Sequence, residues 1–398
     1  MVHSIFERLP VQSPDEIIGL MTKFQNDPRE TKVDLGVGVY RNARGHTPIM
    51  QAVKQAEQLL WSRETTKSYT ALPGDAGFRI AMIELVLGNA VPGNRVASAA
   101  TPGGTGAVRN GLELAKLANP NLTIWVSAPT WPNHLSIIEY LDIPHKSYRY
   151  FDAAHRTVDI EGMLDDLKQA KPGDVVLLHG CCHNPTGANL RETDWRALAD
   201  LLIECGLVPF IDIAYQGFGD GLEADAFGTR QLAKTVPEMI IAASCSKNFG
   251  VYRERAGCLI TVSDEQAHMQ ATLTSLNRLN YSFPPDHGTR LVEMVLTDPA
   301  LRTSWLSELE GIRTGLITLR EGLAQALQER TGSDSFGFLA EHRGMFSLLG
   351  LNPDQIDIMR SRHGVYAVSD SRINVAGLSE ASIPLVADAI ADVITPTS

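Results

Sequence analysis

Short apolar segments recur through the middle of the chain, separated by polar or helical stretches. They are rich in Val, Ile and Leu and lack the alternation that marks a strand with one solvated face. Such segments are typical of strands buried on both faces of a mostly parallel sheet. The predicted strands are Thr123–Ser127, Asp174–His179, Leu207–Ile213, Met239–Ser244 and Cys258–Val262.

A helical pattern lies between two of these strands. In Glu192–Cys205, the positions of Trp195, Leu198 and Leu202 give the apolar stripe of an amphipathic helix. Alternating strands and helices predict an α/β fold with a doubly wound, mostly parallel sheet. A longer helical pattern over residues 298–330, weakened by glycines, predicts one long helix or two abutting helices.

The C-terminal part has a different mixture of elements. Short strands near residues 344–349 and 372–376, with a helix at residues 383–394, predict a smaller α+β unit. The N-terminal stretch is too short for a domain of its own, so we expect it to join this unit. The predicted organisation is an N-terminal arm (1–14), a small domain (15–47 and 313–398) and a large domain (48–312).

Composition narrows the functional classes. The 398 residues are 44% hydrophobic and 20% charged, which is ordinary for a soluble globular protein. A net charge of −11 argues against general affinity for nucleic acid or anionic membranes. We find neither a long apolar run nor a signal-peptide pattern, and the five cysteines are an odd number. A cytoplasmic protein with reduced thiols is therefore expected.

Three polar side chains lie at or after the carboxyl ends of predicted strands, namely Asn184, Asp212 and Lys247. Ligands of doubly wound sheets gather at that edge. Burial among small residues would lower the pKa of the Lys247 amine, as an amine nucleophile requires. A carboxylate inside an apolar strand needs a partner. Taken singly, the lysine also suits a solvated surface position and the aspartate a loop cap.

Together these groups match the needs of a pyridoxal phosphate (PLP) site. A lysine amine holds the cofactor aldehyde as a Schiff base, and a carboxylate keeps the pyridine nitrogen protonated. Asn184 and Tyr215 are candidate hydrogen-bond donors to the ring phenolate oxygen. The glycine-rich turn Thr101–Gly106 opens a predicted helix, whose N-terminus suits an anion. The residues assigned to the phosphate are Gly104, Thr105, Ser244, Ser246 and Arg255.

Several other positions stay open on the residues alone. Trp131 either stacks on a planar cofactor or packs in a core, and His134 either supports the site or is an ordinary buried imidazole. The segment 181–183, Cys-Cys-His, lacks the Cys-x-x-Cys spacing of a zinc site, so no metal is predicted. Arginines bind carboxylates bidentately, but Arg278 and Arg372 taken singly are ordinary surface charges.

The ordered set of motifs resembles the aspartate and aromatic aminotransferases, which are class I PLP enzymes with the aspartate aminotransferase fold. The resemblance covers nearly the whole chain and agrees with the roles assigned above. The matching segments are Leu35–Tyr40, Glu64–Tyr69, Thr101–Gly106, Trp131–His134, His179–Gly187, Asp212–Phe218, Ser246–Gly250, Gly344–Ser347 and Arg372–Gly377.

The resemblance implies a role for each candidate. It implies that Lys247 bonds the cofactor, Asp212 pairs with the pyridine nitrogen, and Trp131 stacks on the ring. Tyr215 and Asn184 would donate to the phenolate oxygen. The other implied contacts are Gly104, Thr105, Ser244, Ser246 and Arg255 to the phosphate, and Gly38, Trp131, Asn184 and Arg372 to the substrate, with Arg372 binding its α-carboxylate.

The resemblance also implies a two-fold homodimer with shared active sites. Tyr69 would reach the cofactor phosphate of the neighbouring subunit, and Arg278 the distal carboxylate of its substrate. The other expected partners are small amino acids and 2-oxo acids, with neither nucleic acid nor membrane among them.

One position departs from the aspartate-type pattern. Phe283 stands where that pattern usually has Asn before Pro-Pro, and the Ser244–Lys247 segment is similar to that of bacterial aromatic aminotransferases. We therefore predict ping-pong transfer of the amino group from phenylalanine, tyrosine or tryptophan to 2-oxoglutarate, with some activity on aspartate and glutamate. An aspartate aminotransferase is the alternative. The paired Arg278 and Arg372 argue against a lyase or decarboxylase, and the short, weakly basic N-terminus against a PLP-binding regulator.

Overall fold

A computed structural model describes residues 4–10 and 16–394. The strands are β1 Val33–Asp34, β2 Val96–Pro102, β3 Ile124–Ala128, β4 His145–Arg149, β5 Phe151–Asp152, β6 Thr157–Val158, β7 Val175–His179, β8 Val208–Ile213, β9 Met239–Ser244, β10 Ala256–Val262, β11 Phe346–Leu348, β12 Val365–Tyr366 and β13 Arg372–Asn374.

The helices alternate with these strands through the first two thirds of the chain. They are α1 Glu16–Asn26, α2 Gln51–Arg63, α3 Ala76–Leu87, α4 Gly103–Ala118, α5 Pro132–Tyr140, α6 Ile160–Leu167, α7 Glu192–Cys205, α8 Leu222–Asp225, α9 Phe227–Thr235, α10 Gln266–Asn280, α11 His287–Thr297, α12 Pro299–Thr331, α13 Phe338–Glu341, α14 Pro353–His363 and α15 Ile383–Ile394. Short 3-10 helices occur at Ile5–Arg8, Gly93–Arg95, Val375–Gly377 and Glu380–Ser382.

A seven-stranded sheet in the order β2-β10-β9-β8-β7-β3-β4 forms the centre of the molecule. Only β10 runs against its neighbours, so the sheet is mostly parallel. Successive residues of β9 face opposite sides. Ile240 joins a core with α4, α5 and α10, whereas Ile241 joins a core with α3, α7 and α11. The predicted α/β fold class is confirmed.

Most of the predicted elements agree with the structure. The strand at Met239–Ser244 and the helix at Glu192–Cys205 have the predicted bounds, and the other strands of the large sheet shift by one or two residues. Two strands of the large sheet, β2 and β4, were not predicted. β2 consists largely of small residues, and β4 is a polar edge strand with four exposed positions, so neither has the apolar run of a central strand.

The helical pattern before residue 331 forms one helix, α12. Asp298 begins it by accepting hydrogen bonds from the backbone N–H groups of Ala300 and Leu301. Among the described residues, Gly311 and Gly315 point into open space, so neither interrupts the packing. The first half of the helix packs on the large core and the second half on a separate core.

That second core joins the two ends of the chain. Val33 and Leu35 pack with residues drawn from 323–390. β1 pairs in parallel with β12, and β11 pairs antiparallel with β13. The short strands predicted near 344–349 and 372–376 are therefore present. The predicted boundary at residue 313 falls within α12, and residues 1–3 and 11–14 of the predicted arm lie outside the described residues.

Within residues 4–10 and 16–394, none of the helices is both long and apolar enough to span a bilayer.

Candidate active site

One cavity lies at the carboxyl edge of the large sheet and contains twelve of the predicted residues. Asp212 ends β8, Lys247 follows β9, and Asn184 follows β7. Arg372, the first residue of β13, enters from the second core, so the cavity lies where the two cores meet. The other predicted residues that line it are Gly38, Gly104, Thr105, Trp131, Tyr215, Ser244, Ser246 and Arg255.

Lys247 is held in an environment that favours its neutral amine. Burial lowers its pKa, Asp212 opposes that effect, and the cation of Arg255 adds to it. Its Nζ atom lies 5.0 Å from the centroid of the Tyr215 ring. The pKa of Lys247 is lowered overall, which suits an amine that must act as a nucleophile and a base.

Asp212 has the opposite balance. Its side chain is 10% exposed, and its Oδ2 atom lies 2.9 Å from Nε2 of His134. Burial raises the pKa of Asp212, but the hydrogen bond with His134 and nearby positive charge outweigh burial, so the pKa is lowered. The carboxylate therefore stays ionised, as the partner of a protonated pyridine nitrogen must.

A series of hydrogen-bonded polar side chains leads away from the Asp212 carboxylate. The Thr130 hydroxyl lies 3.0 Å from Nδ1 of His134 and 3.1 Å from Nε2 of His179. The His179 ring in turn lies 4.1 Å from the His183 ring. Burial lowers the pKa of His179 to about 3 and that of His183 well below its ordinary value. The His179 and His183 imidazoles are therefore neutral at neutral pH, whereas the Asp212 carboxylate is charged.

The glycine-rich turn lies close against the side chains of Ser244 and Arg255. A Cβ atom on Gly104 would lie 2.8 Å from Cβ of Ser244, and one on Gly103 would lie 2.5 Å from Nη2 of Arg255. Gly103 also has a φ of +70°. Arg255 Nη1 lies 3.5 Å from the Ser246 hydroxyl. The glycines thus let two serines, an arginine and the start of α4 converge on one small space, which favours an oxyanion.

Arg372 is a buried cation whose hydrogen-bonding capacity is only partly used by the protein. Its Nη2 donates to the Gly36 carbonyl at 3.0 Å, and its Nη1 lies 3.5 Å from Oδ1 of Asn184. Its Nε is buried with no hydrogen-bond partner among the described residues. The guanidinium lies 4.6 Å from the Phe346 ring centroid, and Phe346 also lies 3.1 Å from where a Cβ on Gly38 would be. An arginine presented in this way fits a ligand carboxylate.

Two predicted residues lie outside this cavity. Tyr69 is 83% exposed, and its ring stacks on Phe283 with centroids 4.6 Å apart. Arg278 is also exposed, and its Nη1 donates to the Ser282 hydroxyl at 2.6 Å. The structure therefore does not bring Tyr69 or Arg278 to the cavity of this chain.

The cavity also contains residues that the sequence analysis did not select. His179 is the direct register partner of Asp212 across β7 and β8, so the strand-end argument applied to Asp212 would have found it. Phe346 lies in a matching motif, which was the available signal. Ile17, on α1, also lines the cavity, and its apolar side chain carries no chemical signal.

The adjacent cysteines have a carboxylate beside them. Ligand atoms of Cys181, Cys182 and Asp225 lie within 4.8 Å of one another. The Asp225 carboxylate already accepts hydrogen bonds from three backbone N–H groups of residues 217–220. The ring nitrogens of His183 face two hydroxyl groups away from this cluster. The absence of a metal remains a prediction.

The set of groups in the cavity fits PLP together with an amino acid. An amine, an ionised carboxylate, an indole and the serine and arginine side chains beside the glycine-rich turn line one space, which Arg372 also lines with an unsatisfied Nε. Residues 30–390 match the family described as aminotransferase class I and II. The chain belongs to this family.

Individual relatives agree with the family assignment. The aromatic-amino-acid aminotransferase of Paracoccus denitrificans is 55% identical over 97% of this chain and 98% of its own. The aspartate aminotransferase of Haemophilus influenzae is 40% identical over 98% of this chain and all of its own. The crystal structure of the Burkholderia pseudomallei aromatic-amino-acid aminotransferase, covalently bound to pyridoxal phosphate, superposes with a TM-score of 0.96 at 38% identity, covering 99% of this chain and 100% of that one. The prediction of a PLP-dependent aminotransferase with this fold is confirmed.

Proposed function

We propose that the aminotransferase acts on phenylalanine, tyrosine and tryptophan, with some activity on aspartate and glutamate, and uses 2-oxoglutarate as acceptor. One observation carries the proposal: the buried Arg372, whose Nε has no hydrogen-bond partner among the described residues, shares a cavity with Lys247 and Asp212. An amino acid whose α-carboxylate binds Arg372 would have its amine near the cofactor groups. The preference for aromatic donors is supported by the greater similarity to the aromatic enzyme of Paracoccus than to the aspartate enzyme of Haemophilus.

The cofactor contacts in this proposal follow the geometry of the cavity. When bound, PLP supplies an aldehyde that bonds amines and a ring that withdraws electrons from the adjoining carbon. Asp212, kept anionic by His134, would hold the proton of the pyridine nitrogen. Tyr215 and Asn184 would donate to the phenolate oxygen, and Trp131 would stack on the ring. The phosphate would be held by Gly104, Thr105, Ser244, Ser246 and Arg255.

The proton transfers are assigned to Lys247. Its amine, whose pKa is lowered by burial, would accept the α-proton of the substrate and later return it to the carbon on the other side of the C–N bond. Arg372 and Asn184 orient the α-carboxylate and thereby the C–H bond, while Gly38 leaves room for the substrate beside Phe346. The acceptor 2-oxo acid then undergoes the reverse sequence, which makes the kinetics ping-pong.

A homodimer with shared sites is part of the proposal. Tyr69 and Arg278 are exposed and lie away from the cavity of their own subunit. In a two-fold dimer the same pair would enter the site of the neighbouring subunit, Tyr69 at the phosphate and Arg278 at a distal carboxylate. The division into an arm (1–14), a small domain (15–47, 313–398) and a large domain (48–312) also belongs to the proposal, and the separate second core supports it.

The variant Lys247→Ala tests the chemistry. We expect no measurable transamination of phenylalanine with 2-oxoglutarate, and loss of the visible absorbance of the covalently bound cofactor. Lys234→Ala, an exposed position at the end of α9, is the matched control and should behave as the native enzyme. Near-native turnover in Lys247→Ala would refute the proposal.

Steady-state kinetics test the choice of substrate. We expect kcat/KM for phenylalanine or tyrosine to equal or exceed that for aspartate, with 2-oxoglutarate as the common acceptor. A preference for aspartate by orders of magnitude, with negligible aromatic turnover, would instead establish the aspartate aminotransferase alternative.

A further inference from the structure

A single buried amide holds the backbone on both sides of Gly38. This part of the chain lies outside the helices and strands. Nδ2 of Asn374 donates to the carbonyl of Val37 at 2.6 Å and to the carbonyl of Val39 at 2.9 Å. Asn374 is 0% exposed. Both donors of its amide are therefore used on residues 37–39, which we call the Gly38 segment.

Strand β13 presents a second side chain to the same stretch of backbone. Arg372 and Asn374 are two residues apart on this strand, so their side chains lie on the same face. Nη2 of Arg372 donates to the carbonyl of Gly36, the residue that precedes the Gly38 segment. Nε of Arg372 is buried and has no hydrogen-bond partner among the described residues. One strand thus satisfies three nearby carbonyls and still leaves a guanidinium donor unused.

The unused donor and the carbonyls of the Gly38 segment are chemically suited to each other. A buried carbonyl without a hydrogen bond is costly, and a charged donor makes stronger hydrogen bonds than a neutral one. Without the Asn374 amide, the carbonyls of Val37 and Val39 would compete with a ligand carboxylate for Arg372. The amide removes this competition because it satisfies both carbonyls without using the guanidinium.

We propose that Asn374 is a positioning residue that keeps Arg372 available for the substrate α-carboxylate, by satisfying the carbonyls of Val37 and Val39. The inference rests on the proposed function, in which Arg372 binds that carboxylate. Aromatic and acidic substrates both carry an α-carboxylate, so the effect is common to the two classes. The cofactor is not involved, because Asn374 does not line the cavity.

The reaction of the PLP-loaded enzyme with phenylalanine tests the inference. We expect Asn374→Leu to lower kcat/KM by about ten- to hundredfold, the range for one lost hydrogen bond to a charged group. The change should lie mainly in KM, and aspartate should show the same factor. The fraction of subunits that carry the cofactor, measured from its visible absorbance, should stay native.

A double-mutant cycle with Arg372 separates positioning from a general effect on stability. In the Arg372→Leu enzyme there is no guanidinium to keep available. Adding Asn374→Leu to that enzyme should therefore change kcat/KM by less than about twofold. A purely structural role would instead give the same factor in both backgrounds.

A milder variant and a control complete the test. Oδ1 of Asn374 accepts from the N–H of Ala376 at 3.1 Å. The hydroxyl in Asn374→Ser can keep that contact but donates to only one carbonyl, so we expect a loss smaller than in Asn374→Leu. Gln270→Leu is the control. It removes two hydrogen bonds to the backbone of Ser98, at 3.0 and 3.1 Å and outside the cavity, and should keep the native kcat/KM.

Three outcomes would overturn the inference: native kcat/KM in both Asn374 variants, the same loss in the native and Arg372→Leu backgrounds, or a loss confined to one substrate class. If Asn374→Leu does not fold, Asn374→Ser carries the comparison in both backgrounds. Failure of the proposed function is distinguishable, because the native enzyme would then transaminate neither phenylalanine nor aspartate.

Discussion

Lys247 and Asp212 share one cavity but are driven towards different charge states. Burial disfavours the charged form of each group. Asp212 has a hydrogen bond from His134 that reverses this effect, whereas burial dominates at Lys247 and Arg255 adds to it. The result is an anion beside an amine that readily loses its proton. Such a separation of two titratable groups is what general acid–base chemistry at neutral pH requires.

His134 is therefore expected to set the acid limit of activity. In His134→Leu the Asp212 carboxylate keeps its burial but loses its donor, so its pKa rises. Because the site needs the anion, activity should be lost at a higher pH than in the native enzyme. We expect the acid limb of the kcat/KM profile to move up by about one pH unit, the equivalent of about 1.4 kcal/mol for one lost hydrogen bond to a charged group.

The measurement is the pH profile of kcat/KM from pH 9 down to about pH 3.5, which includes the ordinary titration range of a carboxyl group. The exposed His46→Leu is the control. An acid limb at the native pH in His134→Leu would mean that this histidine does not keep Asp212 ionised.

His342 links protonation to stability. Burial lowers its pKa to about 4, while its ring bonds to the Ser347 hydroxyl and the Arg156 carbonyl. Between pH 6.5 and about 4 the unfolded chain binds a proton at this position and the folded chain does not. The free energy of unfolding therefore falls as the pH falls through this window, by up to about 1.4 kcal/mol per pH unit.

Denaturant unfolding at several pH values tests this linkage. His342→Gln retains a donor for the Arg156 carbonyl but has no titrating ring, so its midpoint should depend less on pH between 6.5 and 4. An identical pH dependence in the variant and the native protein would contradict the assignment.

The sequence was most informative where chemistry and topology coincide. Asn184, Asp212 and Lys247 could be placed together because all three lie at or just after the carboxyl ends of neighbouring parallel strands. Arg372 could not be placed in this way, since it comes from the second core and reaches the cavity only through packing between distant segments. Its placement from sequence depended on the family resemblance.

Among the elements, α12 packs on both cores, and one of its buried side chains binds the segment around β11. Arg320 is 1% exposed, and its guanidinium donates to the carbonyls of Leu339, Gly344 and Phe346 and to the hydroxyl of Ser347, all neutral acceptors. Burial lowers its pKa to about 9, so it remains charged at neutral pH. The side chain thereby holds the segment that begins β11, in which Phe346 lies beneath Arg372.

Arg320→Met should loosen that segment. The buried carbonyls would lose their donor, so we expect the free energy of unfolding to fall by roughly 3 kcal/mol or more. Because Phe346 supports Arg372, KM should rise for aromatic and acidic donors alike, with a smaller change in kcat. Arg313→Met, on the same helix but paired with Glu310 near the surface, is the control.

Urea unfolding and steady-state kinetics give the two readouts for Arg320→Met. A variant with native stability and native KM for both donors would show that the hydrogen bonds to the β11 segment are not needed to position Arg372.

Element prediction succeeded where a strand was central and uniformly apolar. β9 and α7 have the predicted bounds because all six residues of β9 are buried and α7 buries the apolar stripe that its sequence predicts. β2 was missed because small residues, Ala and Ser, form much of the strand where it packs against α10. β4 was missed because it lies at the edge of the sheet and most of its residues are exposed and polar. The choice between one long helix and two was decided by packing, which periodicity does not encode.

At the scale of the whole molecule, the chain separates residues that were predicted to form one site. Its cavity has groups for a cofactor and for an α-carboxylate, while the residues predicted to complete it, Tyr69 and Arg278, lie on the outer surface. A single chain sequence does not contain the operation that relates two copies, so this part of the site could be anticipated only through the resemblance. The proposed dimer supplies the missing contacts by symmetry.

A hybrid dimer tests the shared site directly. Lys247→Ala subunits and Arg278→Leu subunits, carrying different tags, would be co-expressed and the mixed dimer purified. If sites are shared, one site of the hybrid combines the native Lys247 of one chain with the native Arg278 of the other, and its second site carries both defects. We expect about half of the native turnover of aspartate per dimer, because one of two symmetric sites is restored.

The Lys247→Ala homodimer should be inactive, and the Arg278→Leu homodimer should be strongly impaired with aspartate but not with phenylalanine. If each site used its own Arg278, neither site of the hybrid would be intact, and its aspartate activity would not exceed half that of the Arg278→Leu homodimer.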